Sequence, residues 1–80
     1  MKVNRAIAQR IRQILKEKNI SQYRLERNAA IPHSTMINIM NGSRESCKVK
    51  TLILIIRTLG ITVSEFFNDP VFESDELEID

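Results

Sequence analysis

The chain has little of what commonly stabilises or arms a small protein. Its 80 residues include one cysteine, one histidine, two glycines, two prolines and no tryptophan. The lone Cys47 cannot pair within the chain, so an intrachain disulfide is excluded. With one histidine beside it there is no cluster of metal-ligand spacing, and neither a metal nor another cofactor is expected. No glycine-rich phosphate loop and no Cys or His beside a plausible nucleophile are present, which disfavours an enzyme. The longest apolar run, residues 52–56, is five residues, far short of the roughly 20 that cross a bilayer. The basic, polar N-terminus has no signal-peptide core. These absences predict a soluble, cytoplasmic protein in a reducing compartment, with one small core that needs no staple.

Charge is present but unevenly placed. Residues 1–50 hold eleven Lys/Arg against three acids, whereas residues 51–80 hold one arginine against seven. The local charges are therefore +8 and −6, and they return the net +2 of the whole chain. A polyanion would be drawn to the first part and repelled by the second. Uneven charge is also common in small soluble domains, so this split acquires meaning only beside a motif.

Apolar spacing predicts helices throughout. Asn4 can cap a first helix whose stripe is Ile7, Ile11, Ile14 and Leu15 and which runs to about Lys18. Arg5, Arg12 and Lys16 fall elsewhere on its circumference and read as a solvated face, with room for one phosphate contact. Asn19 and Ile20 turn into Ser21, an N-cap for a second helix over about residues 22–29. Ala30, Ile31 and Pro32 break that helix, because the residue before a proline is pushed out of the helical region. A third helix starts near Pro32, with Met36, Ile39 and Met40 on its inner side and His33, Ser34, Ile37 and Asn38 on its outer side. Asn41 and Gly42 end it.

A polar connection runs to about Lys48, and Cys47 within it receives no function. The fourth helix, about residues 49–59, buries Leu52, Ile55, Ile56 and Leu59 and stops at Gly60. Ile53 and Leu54 then point elsewhere and need cover. Thr62 and Glu65 form a capping box for a fifth helix, in which either Phe66 or Phe67 closes the core. Asn68, Asp69 and Pro70 end it, giving a domain over residues 1–70 and an acidic tail over residues 71–80.

Several residues in this order carry a resemblance. Ser21-Gln22 with Leu25, then Ala29, Ile31, Thr35, Ile39 and Asn41-Gly42, followed by the pattern LxxIIxxLG and the closing TVSEFF, resembles the Cro/C1-type (XRE) family of bacterial and phage DNA-binding regulators. It covers about residues 4–69. The resemblance implies an all-α, five-helix lambda-repressor-like domain whose helix-turn-helix is formed by helices 2 and 3. Two positions depart from the pattern. Glu26 stands where a small Ala usually packs under helix 3. Ala30 stands where Gly usually takes a left-handed corner, a conformation that costs Ala roughly 1 kcal/mol, so a slightly remodelled corner is expected.

On this resemblance double-stranded DNA is the partner, and helix 3 enters its major groove. His33, Ser34 and Asn38 match base-reading positions; Asn can bond adenine bidentately, while Ser and His can serve several base edges. Ile37 either packs on a thymine methyl or meets a neighbouring helix. Gln22 matches the position that meets the DNA backbone at an exposed helix N-terminus. Tyr23 is expected at a partly buried edge with its hydroxyl free for water or a phosphate, Arg24 and Arg27 as backbone contacts or a soluble face, and Thr35 as a cap or phosphate contact. Asn41, Ser43, Arg44, Lys48 and Lys50 suit a phosphate clamp or an ordinary polar loop.

The acidic tail reads as a solvated terminus or as an arm on a second subunit. The favoured arrangement is a homodimer through Ile53, Leu54, Phe67, Val71 and Phe72, which would set two recognition helices about one DNA turn apart. The expected function is a sequence-specific transcriptional regulator, most simply a repressor. The rival is a protein-interaction module on the same scaffold, such as an antitoxin or antirepressor that binds another protein.

Overall fold

A computed structural model describes residues 2–42, 47–73 and 77–78. Among these residues five α-helices follow one another: α1 (Val3–Lys18), α2 (Gln22–Ala29), α3 (His33–Met40), α4 (Val49–Thr58) and α5 (Val63–Phe67). A 3-10 turn, Pro70–Phe72, comes after them. No named strand occurs among the described residues, and the fold is all-α as predicted.

Each helix buries the stripe its spacing implies. Ile7, Ile11, Ile14 and Leu15 of α1 meet Met36, Ile39 and Met40 of α3, Leu52, Ile55, Ile56 and Leu59 from the α4 region, and Phe66 in one core. Ala6 and Ala8 are also buried. Phe66, rather than Phe67, closes the core: its ring is fully enclosed while Phe67 stays 39% exposed. The α5 capping box is formed, with Glu65 N donating to Thr62 Oγ1 at 3.0 Å and Thr62 N to Glu65 Oε1 at 3.2 Å.

Three helices end by one device. At the ends of α1, α2 and α4 a left-handed residue, Asn19 (φ 56°), Ala30 (φ 54°) and Gly60 (φ 77°), reverses the chain. The amide of the isoleucine that follows, Ile20, Ile31 or Ile61, donates to a carbonyl five residues back, Leu15, Glu26 or Ile56, at 2.9, 3.0 and 3.4 Å. This is the Schellman arrangement, which satisfies orphan carbonyls and drops an apolar side chain inward. All three isoleucines lie in or against the core. The corner at Ala30 is therefore not remodelled; alanine accepts the strained conformation because burial of Ile31 and two backbone hydrogen bonds oppose its cost.

The start of α1 differs from expectation. Lys2, not Asn4, is the N-cap residue, and Asn4 lies inside the first turn. The Val3 amide donates to the carbonyl of Glu78 at 2.9 Å, so a tail residue does locally what a side-chain cap would do. The 3-10 turn also packs on α1. Phe72, expected on a subunit interface, is occupied within its own chain: its ring centroid lies 5.9 Å from that of Phe66 and 4.9 Å from that of Phe67. Val71 is half-buried beside it, and its amide donates to Asp69 Oδ1 at 2.9 Å.

Two arginines of α1 tie distant helix ends to it. Arg10 donates from Nε to the Phe66 carbonyl and from Nη2 to the Glu65 carbonyl, both at 2.7 Å, which satisfies the last turn of α5. Its Nη1 lies 3.5 Å from Asp69 Oδ2. Arg12, read from sequence as solvated, donates from Nη2 to the Met40 carbonyl at 2.6 Å and closes the end of α3. Gly42, at φ 68°, follows in a space where a Cβ would lie 2.8 Å from Arg5 Cγ and 3.2 Å from Arg5 Cα.

These local states set opposite signs for two substitutions. Ala30→Gly relieves the left-handed strain, less the entropy glycine adds to the unfolded chain, and should stabilise by up to about 0.5 kcal/mol. Gly42→Ala introduces both strain and overlap and should destabilise by more than about 1 kcal/mol. Urea unfolding of both variants checks the pair.

Candidate nucleic-acid interface

Helix α3 is exposed along one side for a reason visible in its sequence. Met36, Ile39 and Met40 are the side chains that α1 and the core can bury, and they are enclosed. The residues between them, His33, Ser34, Ile37, Asn38 and Asn41, therefore form a continuous outward stripe, and all five are exposed. Thr35 is half-buried at its edge. Ile37 remains 38% exposed, available to an outside apolar group such as a thymine methyl.

Cationic and polar side chains flank this stripe. Thr35, Asn38 and Lys48 line one shallow cleft of about 400 Å³ between α3 and the start of α4, together with Leu54. Lys48 is thus brought to the same side as Asn38. Arg5 and Arg12 border a second hollow beside Met40, Asn41 and Gly42, at the other end of α3. Arg24 and Arg27 share a third with Ser21 and Tyr23 on α2. Ser43 and Arg44, expected in the phosphate clamp, lie outside the described residues, and Lys50 is exposed on the first turn of α4.

The N-terminus of α2 has the predicted cap. Ser21 Oγ accepts from the Arg24 amide at 3.1 Å, which leaves the Gln22 and Tyr23 amides at the helix start, where backbone N–H groups suit an anion. Gln22 is half-buried. Tyr23, expected at a partly buried edge, is instead 64% exposed, with the Arg27 guanidinium 5.7 Å from its ring centroid. The reason lies on the opposite side of α2, where Leu25, Glu26 and Ala29 occupy the buried positions.

Glu26 is the element that sequence reading left unexplained. It is the one buried charged residue among those described, with its side chain 8% exposed. Its Oε1 lies 2.8 Å from His33 Nδ1, and Gln22 Nε2 donates to its Oε2 at 3.4 Å. The carboxylate therefore joins the start of α2 to the start of α3 across the corner. His33 is 69% exposed at its side chain, so its ring is pinned at one edge and open at the other. Seven residues separate the pair in sequence, and only the reversal at Ala30 brings them together. A buried acid four residues after Gln22, just before a left-handed corner and a histidine, was the available signal.

Cys47 is half-buried against the core, and burial pushes its thiol above the ordinary value. It packs against the core. Among the described residues no helix is long and apolar enough to cross a membrane, and no group of three His, Cys, Asp or Glu side chains converges.

Two short helices joined by a left-handed corner, the second with its apolar side on the core and its polar side outward, define a helix-turn-helix protein. The profile of the Cro/C1-type HTH DNA-binding domain matches residues 10–70, and the chain belongs to that family. In general terms it is a DNA-binding regulator. Neither a curated protein nor a solved structure matches the chain.

The Glu26–His33 contact predicts an inversion of the usual rule that exposed residues matter little for stability. His33→Ala leaves a buried carboxylate with a single weak partner and should cost about 1 kcal/mol or more. Glu26→Ala removes the charge that needs satisfying, so the double variant should recover most of that loss. Thermal unfolding at neutral pH of the two single variants and the double variant measures the cycle.

Proposed function

We propose that the protein is a sequence-specific duplex DNA-binding transcriptional regulator that reads an operator with α3 in the major groove. The observation that carries this reading is the outward stripe of α3, polar and bordered by basic side chains, in a chain of a DNA-binding family. A helix so placed contacts base edges mainly from its first two turns, which here present His33, Ser34, Ile37 and Asn38. Asn38 is assigned to a base edge, adenine being its best bidentate match. Gln22, Tyr23, Arg24, Thr35, Asn41, Ser43, Arg44 and Lys48 are assigned to the sugar-phosphate backbone, which positions the helix without specifying sequence.

The mode of action proposed is occupancy without catalysis: the bound domain excludes polymerase from a promoter, in the cytoplasm, and so represses. The binding unit proposed is a homodimer on an inverted repeat, through Leu54, Phe67 and the half-buried Ile53. Leu54 and Phe67 are 43% and 39% exposed, more than their apolar character favours. Val71 and Phe72 have a smaller part than the sequence implied, because they pack on their own chain.

Affinity for an operator selected from random DNA should fall steeply as salt rises. Lys48→Ala should weaken cognate and random duplexes alike and reduce the log–log salt slope by about 1. Asn38→Ala should cost about 1–3 kcal/mol on the cognate site and little on random DNA. Equal losses on both duplexes would remove Asn38 from base reading. Sedimentation showing only monomer at high micromolar protein, with and without the operator, would contradict the dimer.

A further inference from the structure

Within the DNA-reading role proposed above, we propose that Glu26 is a positioning residue that fixes the tautomer of His33, so that the ring presents Nε2 to the groove as a hydrogen-bond acceptor. An ionised carboxylate has no hydrogen to give. The 2.8 Å contact between Glu26 Oε1 and His33 Nδ1 is therefore made by an Nδ1–H donating to the carboxylate. In the neutral ring the proton then resides on Nδ1, and Nε2 carries a lone pair.

Burial makes the constraint effective. The Glu26 side chain is 8% exposed, so water is a poor substitute for the histidine, and turning the ring away leaves the carboxylate under-satisfied. The other carboxylate oxygen accepts from Gln22 Nε2 at 3.4 Å, which fixes the acid from the α2 side. One buried carboxylate thus orients the residue assigned to the DNA backbone and the residue assigned to a base.

The consequence is a preference for one kind of base edge. In the major groove, hydrogen-bond donors are the exocyclic amino groups of cytosine and adenine, while guanine N7 and O6 and thymine O4 accept. A lone pair at Nε2 selects cytosine or adenine and opposes guanine and thymine. The opposite tautomer would donate from Nε2 and reverse that choice. His33 is in this way a specificity determinant whose sense is set by a residue that does not face the groove.

The first arm of the test needs no DNA. Long-range proton–nitrogen correlation of the full chain at pH 8.5 should show His33 protonated on Nδ1, and Glu26→Ala, which removes the acceptor, should shift the population towards the Nε2–H form. A wild-type ring protonated mainly on Nε2 overturns the proposal whatever the protein binds. The second arm selects sites from random duplexes at the same pH. Wild type should enrich cytosine or adenine over guanine and thymine at one position of each half-site, by a few-fold for a single hydrogen bond. Glu26→Ala should lose that preference while the remaining positions keep theirs, and the variant should fold because it removes a buried charge rather than leaving one unpaired. Unchanged discrimination in Glu26→Ala overturns the role of Glu26 in specificity. A wild-type chain that enriches no site overturns the DNA reading itself, and the tautomer result stands apart from it.

Discussion

The left-handed turn at Ala30 is the constraint on which the remainder of the structure depends. It aims α3 away from α2, places Ile31 in the core and brings His33 back onto Glu26. Alanine is a costly residue for that conformation, by about 1 kcal/mol. The cost is met by the amides of Ala30 and Ile31, which donate to the carbonyls of Arg27 and Glu26 at 3.2 and 3.0 Å. At its other end α3 is held by Arg12 on the Met40 carbonyl and by Gly42 packed against Arg5. A short helix pinned at both ends, with three enclosed side chains between, loses little freedom when a ligand meets its outer side. That preorganisation is what a reading element needs.

Electrostatics and packing divide the molecule between two tasks. The acidic segment is used locally: Glu65 completes a cap, Asp69 pairs with Arg10 and starts the 3-10 turn, and Glu78 supplies a carbonyl to α1. Much of the basic segment remains outward, around α2 and α3. The two exceptions are informative. Arg10 is drawn inward, and Arg12, though still exposed, turns one nitrogen onto α3, because helix C-termini offer unpaired carbonyls that a guanidinium can satisfy. Glu26 is the converse exception, a buried acid kept satisfied by Gln22 and His33 rather than by a cation of the basic surface.

Much of the fold was legible because its signals are local. The stripes in α1, α3 and α4 have helical spacing, Ser21 and the Thr62/Glu65 pair are caps that act within one turn, and Gly60 stops α4 where it stands. Several departures from expectation involve partners far apart in the chain. Asn4 looks like a cap, but the tail carbonyl of Glu78 meets the Val3 amide, so the helix begins earlier. Arg12 is exposed as expected, yet it also donates to the last turn of α3. Phe72 reads as part of an arm, and its ring also meets Phe66 and Phe67 within its own chain. At the candidate interface, spacing within α3 separated inner from outer residues, whereas the Glu26–His33 pair required the corner to be closed. Tyr23 was misjudged because the buried side of α2 is centred on Leu25, Glu26 and Ala29, leaving no room for it beneath.

The central claim is that the outer stripe of α3 is the surface that meets duplex DNA. Its most direct test is a titration of backbone amide shifts in the full chain with a short duplex carrying the selected operator. The account predicts that the largest changes fall on residues 33–38 of α3 and on Gln22 and Tyr23 at the start of α2, while Val63, Ser64 and Phe67 stay near their free positions. Large changes confined to α5 and the tail, with α3 unmoved, would contradict it.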